Sequence, residues 1–193
     1  MKKVVLALSL AFVAGFAFAE EETDADFVLT SPYMGVSGGM LLPGNGNSLS
    51  RAAEVSARVG CYFWSDFAAI ELEGMSAPNV ATHPGNEALS GVAARVLFHL
   101  RGIDEFDRLF GCERFDPYVS IADVARFGAR HAFADRSHRT ALGRAVGVGA
   151  LYHLTDQLAL RFDAQAMLVI DSPCGMLYSV GLGLQWTFGG VGE

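Results

Sequence analysis

The sequence predicts an all-β fold: an antiparallel up-and-down transmembrane β-barrel of eight strands. Three observations carry that expectation. The chain opens on an export leader, it is 51% hydrophobic with 22 glycines yet has no long apolar run after Ala19, and its apolar residues alternate with polar ones in segments that place charge on one face only. A transmembrane barrel needs an apolar lipid face without any continuous apolar stretch. A membrane helix needs about 18 or more consecutive apolar residues, and none follows the leader.

The leader reads Lys2-Lys3, then an apolar run from Val4 to Phe18, then Ala17-Phe18-Ala19 before Glu20-Glu21-Glu22. A charged start, an apolar middle and a small-x-small end make a cleavable signal peptide. The run is too short for a spanning helix. Residues 1–19 are therefore expected to be removed, leaving 20–31 as a short periplasmic segment, 32–188 as the barrel domain and 189–193 as a tail. Lys2 and Lys3 are the only lysines, so cleavage moves the formal charge from −7 to −9. An acidic chain lacks the clustered cations that nucleic acid requires.

The last strand is the clearest. From Tyr178 to Phe188 one face carries Tyr178, Val180, Leu182, Leu184, Trp186 and Phe188, and the other Ser179, Gly181, Gly183, Gln185 and Thr187. Aromatic rings suit the two membrane interfaces, so Tyr178, Trp186 and Phe188 are candidate interface residues. Leu158 to Leu168 alternates in the same way, with Arg161, Asp163 and Gln165 opposite the apolar face. Ala68, Ile70 and Leu72 oppose Glu71 and Glu73. Tyr62–Glu73 aligns without a gap on Tyr152–Asp163, which predicts two hairpins turning at Ser65-Asp66 and Thr155-Asp156, where short polar side chains bond nearby backbone. The eight strands are expected near 32–41, 52–63, 67–76, 88–99, 117–127, 140–153, 157–169 and 177–188. Strand 140–153 suits a lipid face only if Arg144 lies above the membrane. Connections at 64–66 and 154–156 are short, and those at 42–51, 77–87, 128–139 and 170–176 are longer, as between periplasmic turns and outer loops. The connection 100–116 is long on the periplasmic side and is expected to hold a short amphipathic helix.

The chain resembles the small outer-membrane barrels that include the OmpA transmembrane domain and the opacity-type surface antigens. The resemblance rests on the leader, on Pro117-Tyr118-Val119, on Gly147 to Tyr152 leading through Leu154-Thr155-Asp156 to Leu158–Arg161, and on Gly181–Phe188. It implies an outer-membrane location and, through a terminal aromatic, recognition by the barrel-assembly machinery. Here Gly189–Glu193 follow Phe188, a departure from members that end on that aromatic.

A barrel of about eight strands is filled by its own side chains. Parity turns Glu54, Arg58, Glu71, Glu73, Arg95, Arg161 and Asp163 inward, where unpaired charge would be costly, so a lumen charge network that plugs the barrel is expected. The outer loop and its flanks carry Arg126, Arg130, Arg136, Arg139 and Arg144 against Asp135 alone. Guanidinium groups bind phosphate bidentately, which makes these five candidate lipopolysaccharide contacts, with outer-membrane lipid as the second partner and a monomer as the expected state. His131, Asp135 and His138 lack a specific metal spacing, and no cofactor or metal is expected. His153-Leu154-Thr155 is similar to the His-x-Ser of outer-membrane lipid A deacylases but falls in a periplasmic turn, so no enzymatic activity is expected. Cys174 belongs to an outer loop; Cys61 and Cys112 lie nearer the periplasm, where a bridge is open between them. The rival folds and functions are a soluble secreted lipocalin-like ligand-binding barrel, whose apolar face would turn inward, and an outer-membrane lipid-modifying enzyme or narrow pore.

Overall fold

Eight strands occupy the alternating segments: β1 Leu29–Pro43, β2 Ala52–Phe63, β3 Ala68–Ala81, β4 Asn86–His99, β5 Phe115–Gly128, β6 Thr140–His153, β7 Leu158–Val169 and β8 Met176–Thr187. The computed structural model describes residues 29–44, 50–63, 67–81, 85–101, 114–128, 140–169 and 175–188. The leader, the tail, most of 100–116 with Cys112, the turn at Ser65-Asp66, the loop 129–139 and Cys174 lie outside the described residues. Each strand pairs antiparallel with the next and β8 closes on β1.

Following paired residues around the wall from Pro32 through Cys61, Ile70, Val96, Ile121, Val146, Ala166 and Tyr178 returns to β1 at Leu42, ten residues along. A stagger of that size tilts the strands by roughly 40°. Both ends of the chain's barrel segment, with the β2–β3 and β6–β7 connections, sit at one end, called here the lower end.

Several boundaries differ from the sequence expectation. β1 begins at Leu29, so Leu29–Ser31 belong to the barrel and not to the N-terminal segment. β3 and β4 run on to Ala81 and from Asn86, replacing most of the connection 77–87 with ladder. Their register shifts between Ala77 and Val80, around Pro78, which has no N–H to give the ladder. β5 starts two residues earlier than expected, at Phe115, and ends one later, at Gly128.

The wall is sorted by parity. Val36, Val59, Ile121, Val146, Leu168 and Leu182 are each more than half exposed on the outside, an apolar area far beyond that of a soluble monomer. Glu71, Arg95 and Arg161 are at most 2% exposed inside. This sorting is the reverse of a lipocalin-like barrel, so that rival is set aside. The lumen is layered. Tyr33, Tyr62, Tyr118, Leu97 and Leu151 fill the lower part, and Leu41, Met75, Leu89, Met167, Val169 and Leu177 with several alanines fill the upper part. Charge lies between them.

Candidate functional site

Three arginines and three carboxylates meet in the middle layer, projected from β2, β3, β4 and β7. Arg161 places Nη1 2.5 Å and Nη2 3.3 Å from the two oxygens of Glu71, and its Nε donates to Asp163 at 3.0 Å. Arg58 reaches Asp163 at 2.6 Å and Glu73 at 3.2 Å. Arg95 pairs with Glu73 and reaches Asp163 at 3.2 Å and Glu71 at 3.6 Å. Formal charge therefore balances within the cluster, which is what makes six buried ions tolerable in a lumen filled by side chains.

Tyrosines and amides complete the network. Tyr33, Gly60 and Glu71 form one row across β1, β2 and β3, and Tyr118, Gly149 and Asp163 form the corresponding row across β5, β6 and β7. In each row the tyrosine lies over the glycine and donates to the carboxylate beyond it, at 3.1 Å for Tyr33 to Glu71 and 2.5 Å for Tyr118 to Asp163. A side chain at Gly60 or Gly149 would occupy the space of the ring. Gln185 accepts from Arg161 and donates to Tyr62, both at 2.9 Å.

Above the cluster, Ser37 and Ser56 accept from Arg58 at 2.6 and 3.0 Å. A cavity between these serines, Gln165 and Ser179 has about 20 Å³ open to the centre of a water molecule, enough for about one ordered water. Glu54 then meets Arg126 at 2.5 Å within the apolar upper layer. At the lower end His99 contacts Asp116 at 2.8 Å.

The lumen residues read from the sequence thus lie inside the barrel: Arg58, Glu71, Glu73, Arg95, Arg161 and Asp163 in one cluster, and Glu54 apart from it. Arg126 is a correction. The sequence places it on the flank of the outer loop as a lipopolysaccharide contact, but it is 2% exposed and paired with Glu54. It shares the parity of Tyr118, and β5 continues past it to Gly128, so its side chain cannot leave the lumen. Arg130, Arg136 and Arg139, like His131, Asp135 and His138, lie outside the described residues. Arg144 stands on the outer wall, directly opposite Asp123, with its Nε 3.3 Å from the carboxylate. Tyr178, Trp186 and Phe188 are exposed on the same wall. Tyr178 and Trp186 are eight residues apart on one tilted strand, a height of roughly 20 Å, close to the apolar band of an outer-membrane barrel.

The Thr155 hydroxyl accepts from the backbone N–H of Gln157 and Leu158 at 3.3 and 3.0 Å. That is the turn role its sequence suggested. The sequence reading does not identify the tyrosines as lumen residues, and it places Gln185 on the polar face of the last strand without assigning it to the network. Parity with Glu71 and Asp163 in the paired strands was a usable signal, as was the repetition of Pro32-Tyr33 at Pro117-Tyr118.

No family model and no curated protein matches the chain by sequence. Among solved structures, neisserial surface protein A aligns over 81% of this chain and 97% of its own, at 13% identity and a TM-score of 0.60. The N-terminal β-barrel domain of Pseudomonas aeruginosa OprF aligns over 81% and 97%, at 15% identity and a TM-score of 0.54. At such identities the likeness is one of fold: the chain has the closed eight-strand fold of the small outer-membrane barrels.

Proposed function

We propose that the protein is an integral outer-membrane barrel with a structural or surface-interaction role, its lumen plugged by the internal charge network and its upper arginines contacting lipopolysaccharide. The observation that carries this reading is the inside-out sorting of the wall, charge-balanced within and apolar without. A lumen crossed by matched ions has no vacant charge to receive an ion in transit, and the apolar layer above it adds a second obstruction. Activity then belongs to the upper end. Arg144 stands near that end, the sequence joining β5 to β6 adds Arg130, Arg136 and Arg139 to an otherwise acidic chain, and phosphorylated lipid sugars are the matching ligand for guanidinium groups.

Two measurements test the reading. The protein should fractionate with outer membrane and require detergent for extraction, with heat-modifiable mobility on gels; recovery from soluble periplasm would refute it. Charge reversal of Arg136 and Arg139 should reduce co-purifying lipopolysaccharide and lower stability in detergent. Unchanged values for both would remove the lipopolysaccharide role.

A further inference from the structure

Among the described strand residues, Asp123 and Arg144 are the only charged side chains on the outer wall. They face each other across β5 and β6. Because paired positions climb ten residues in one circuit of the barrel, the register puts both at nearly the height of Tyr178, at the upper edge of the apolar belt. The Arg144 and Asp123 side chains are 77% and 62% exposed. An ion pair so open contributes little to stability, and a neutral pair of residues would suit a lipid-facing wall better. Ala94 is the row neighbour of Asp123 on β4, and its small side chain leaves the carboxylate approachable from that side.

An anion site alone does not explain Asp123. Its carboxylate would repel a phosphate drawn to Arg144. The two charges are complementary together to a phosphate that carries a divalent cation, since magnesium is commonly held by one or two carboxylates plus phosphate oxygens while retaining water. We propose that Asp123 and Arg144 form a composite site for a cation-bridged phosphate of lipopolysaccharide, in which the guanidinium takes phosphate oxygens and the carboxylate takes the cation. The proposal rests on the lipopolysaccharide reading above and adds to it an acidic ligand and a metal requirement.

The test uses full-length protein in detergent, diphosphoryl lipid A as the probe, and native mass spectrometry to count bound lipid in magnesium chloride or in EDTA. The unmutated protein should bind severalfold more lipid A with magnesium. Asp123→Asn should abolish the magnesium effect and bind more than the unmutated protein in EDTA, because the repulsion is gone. Arg144→Gln should bind less under both conditions. Heat-modifiable mobility checks that both exterior variants fold, and the magnesium effect on the unmutated protein is an arm that needs no variant. A magnesium effect that is absent from the unmutated protein, or persists in Asp123→Asn, overturns the composite site while leaving lipopolysaccharide contact intact. Binding unchanged by Arg144→Gln and by reversal of Arg136 and Arg139 overturns the underlying reading as well.

Discussion

Glu71 of β3 and Arg161 of β7 stand four strands apart in a ring of eight and join across the lumen, both guanidinium Nη atoms meeting both carboxylate oxygens. They also occupy the same position in the two aligned segments Tyr62–Glu73 and Tyr152–Asp163. The repeated hairpin therefore places opposite charges at equivalent sites on opposite walls, and the two copies neutralise each other. Glu73 and Asp163, the next inward pair in that alignment, share Arg58 and Arg95.

Removing one member of this pair leaves a buried charge without its principal partner. Glu71→Ala should cost about 3–5 kcal/mol in unfolding free energy, read from urea denaturation in detergent or lipid vesicles. Replacing both residues, as in Glu71→Met with Arg161→Met, keeps the remaining charges balanced and should recover most of that loss. A double variant no more stable than Glu71→Ala would contradict the charge-balance account.

The glycines under the two tyrosines give an independent prediction. A Cβ at Gly149 would meet the Tyr118 ring and the Phe162 carbonyl oxygen, and one at Gly60 would meet Tyr33 and the Ile70 carbonyl oxygen. Gly149→Ala and Gly60→Ala should each destabilise by about 1–3 kcal/mol, the usual range for overpacking. Gly38, on the outer wall, has nothing within 4 Å of such a Cβ, so Gly38→Ala should be close to neutral. Equal effects at all three sites would argue against a role for ring packing.

Strand number, pairing order and the in-out assignment were legible because parity is a strict rule in a wall with one wet and one apolar face. Glu71 and Arg161 could be turned inward from their own segments alone. Which partner each would choose was not legible, since Arg58 and Asp163 are 105 residues apart and meet only through closure and stagger. Arg126 shows the same gap. Its parity pointed inward, yet its position among loop arginines suggested outer contact, and only the length of β5 and the presence of Glu54 across the lumen decide between them. Pro78 marked a break in β3, but a bulge and a strand end leave the same trace in sequence.

The plugged lumen makes a prediction about conduction. Planar bilayers containing the unmutated protein should show no steady large conductance. Glu71→Ala with Glu73→Ala should lower the unfolding temperature without opening one, because Leu41, Leu89 and Leu177 still close the upper lumen, each no more than 2% exposed. Large, stable channels in the unmutated protein would refute the plug.

Orientation can be tested on intact cells. The β5–β6 connection shares the upper end with Tyr178 and lies opposite the β6–β7 turn at Thr155. If the upper end faces outward, an added protease of broad specificity such as proteinase K should cleave within 129–139 and should leave 154–157, which holds no lysine or arginine for trypsin, untouched until the envelope is permeabilised. Expected products are a β1–β5 and a β6–β8 fragment, held together in unboiled samples by barrel closure and separated on boiling. Cleavage at the Thr155 turn on intact cells, with 129–139 protected, would reverse the orientation and remove Arg136 and Arg139 from contact with the outer leaflet.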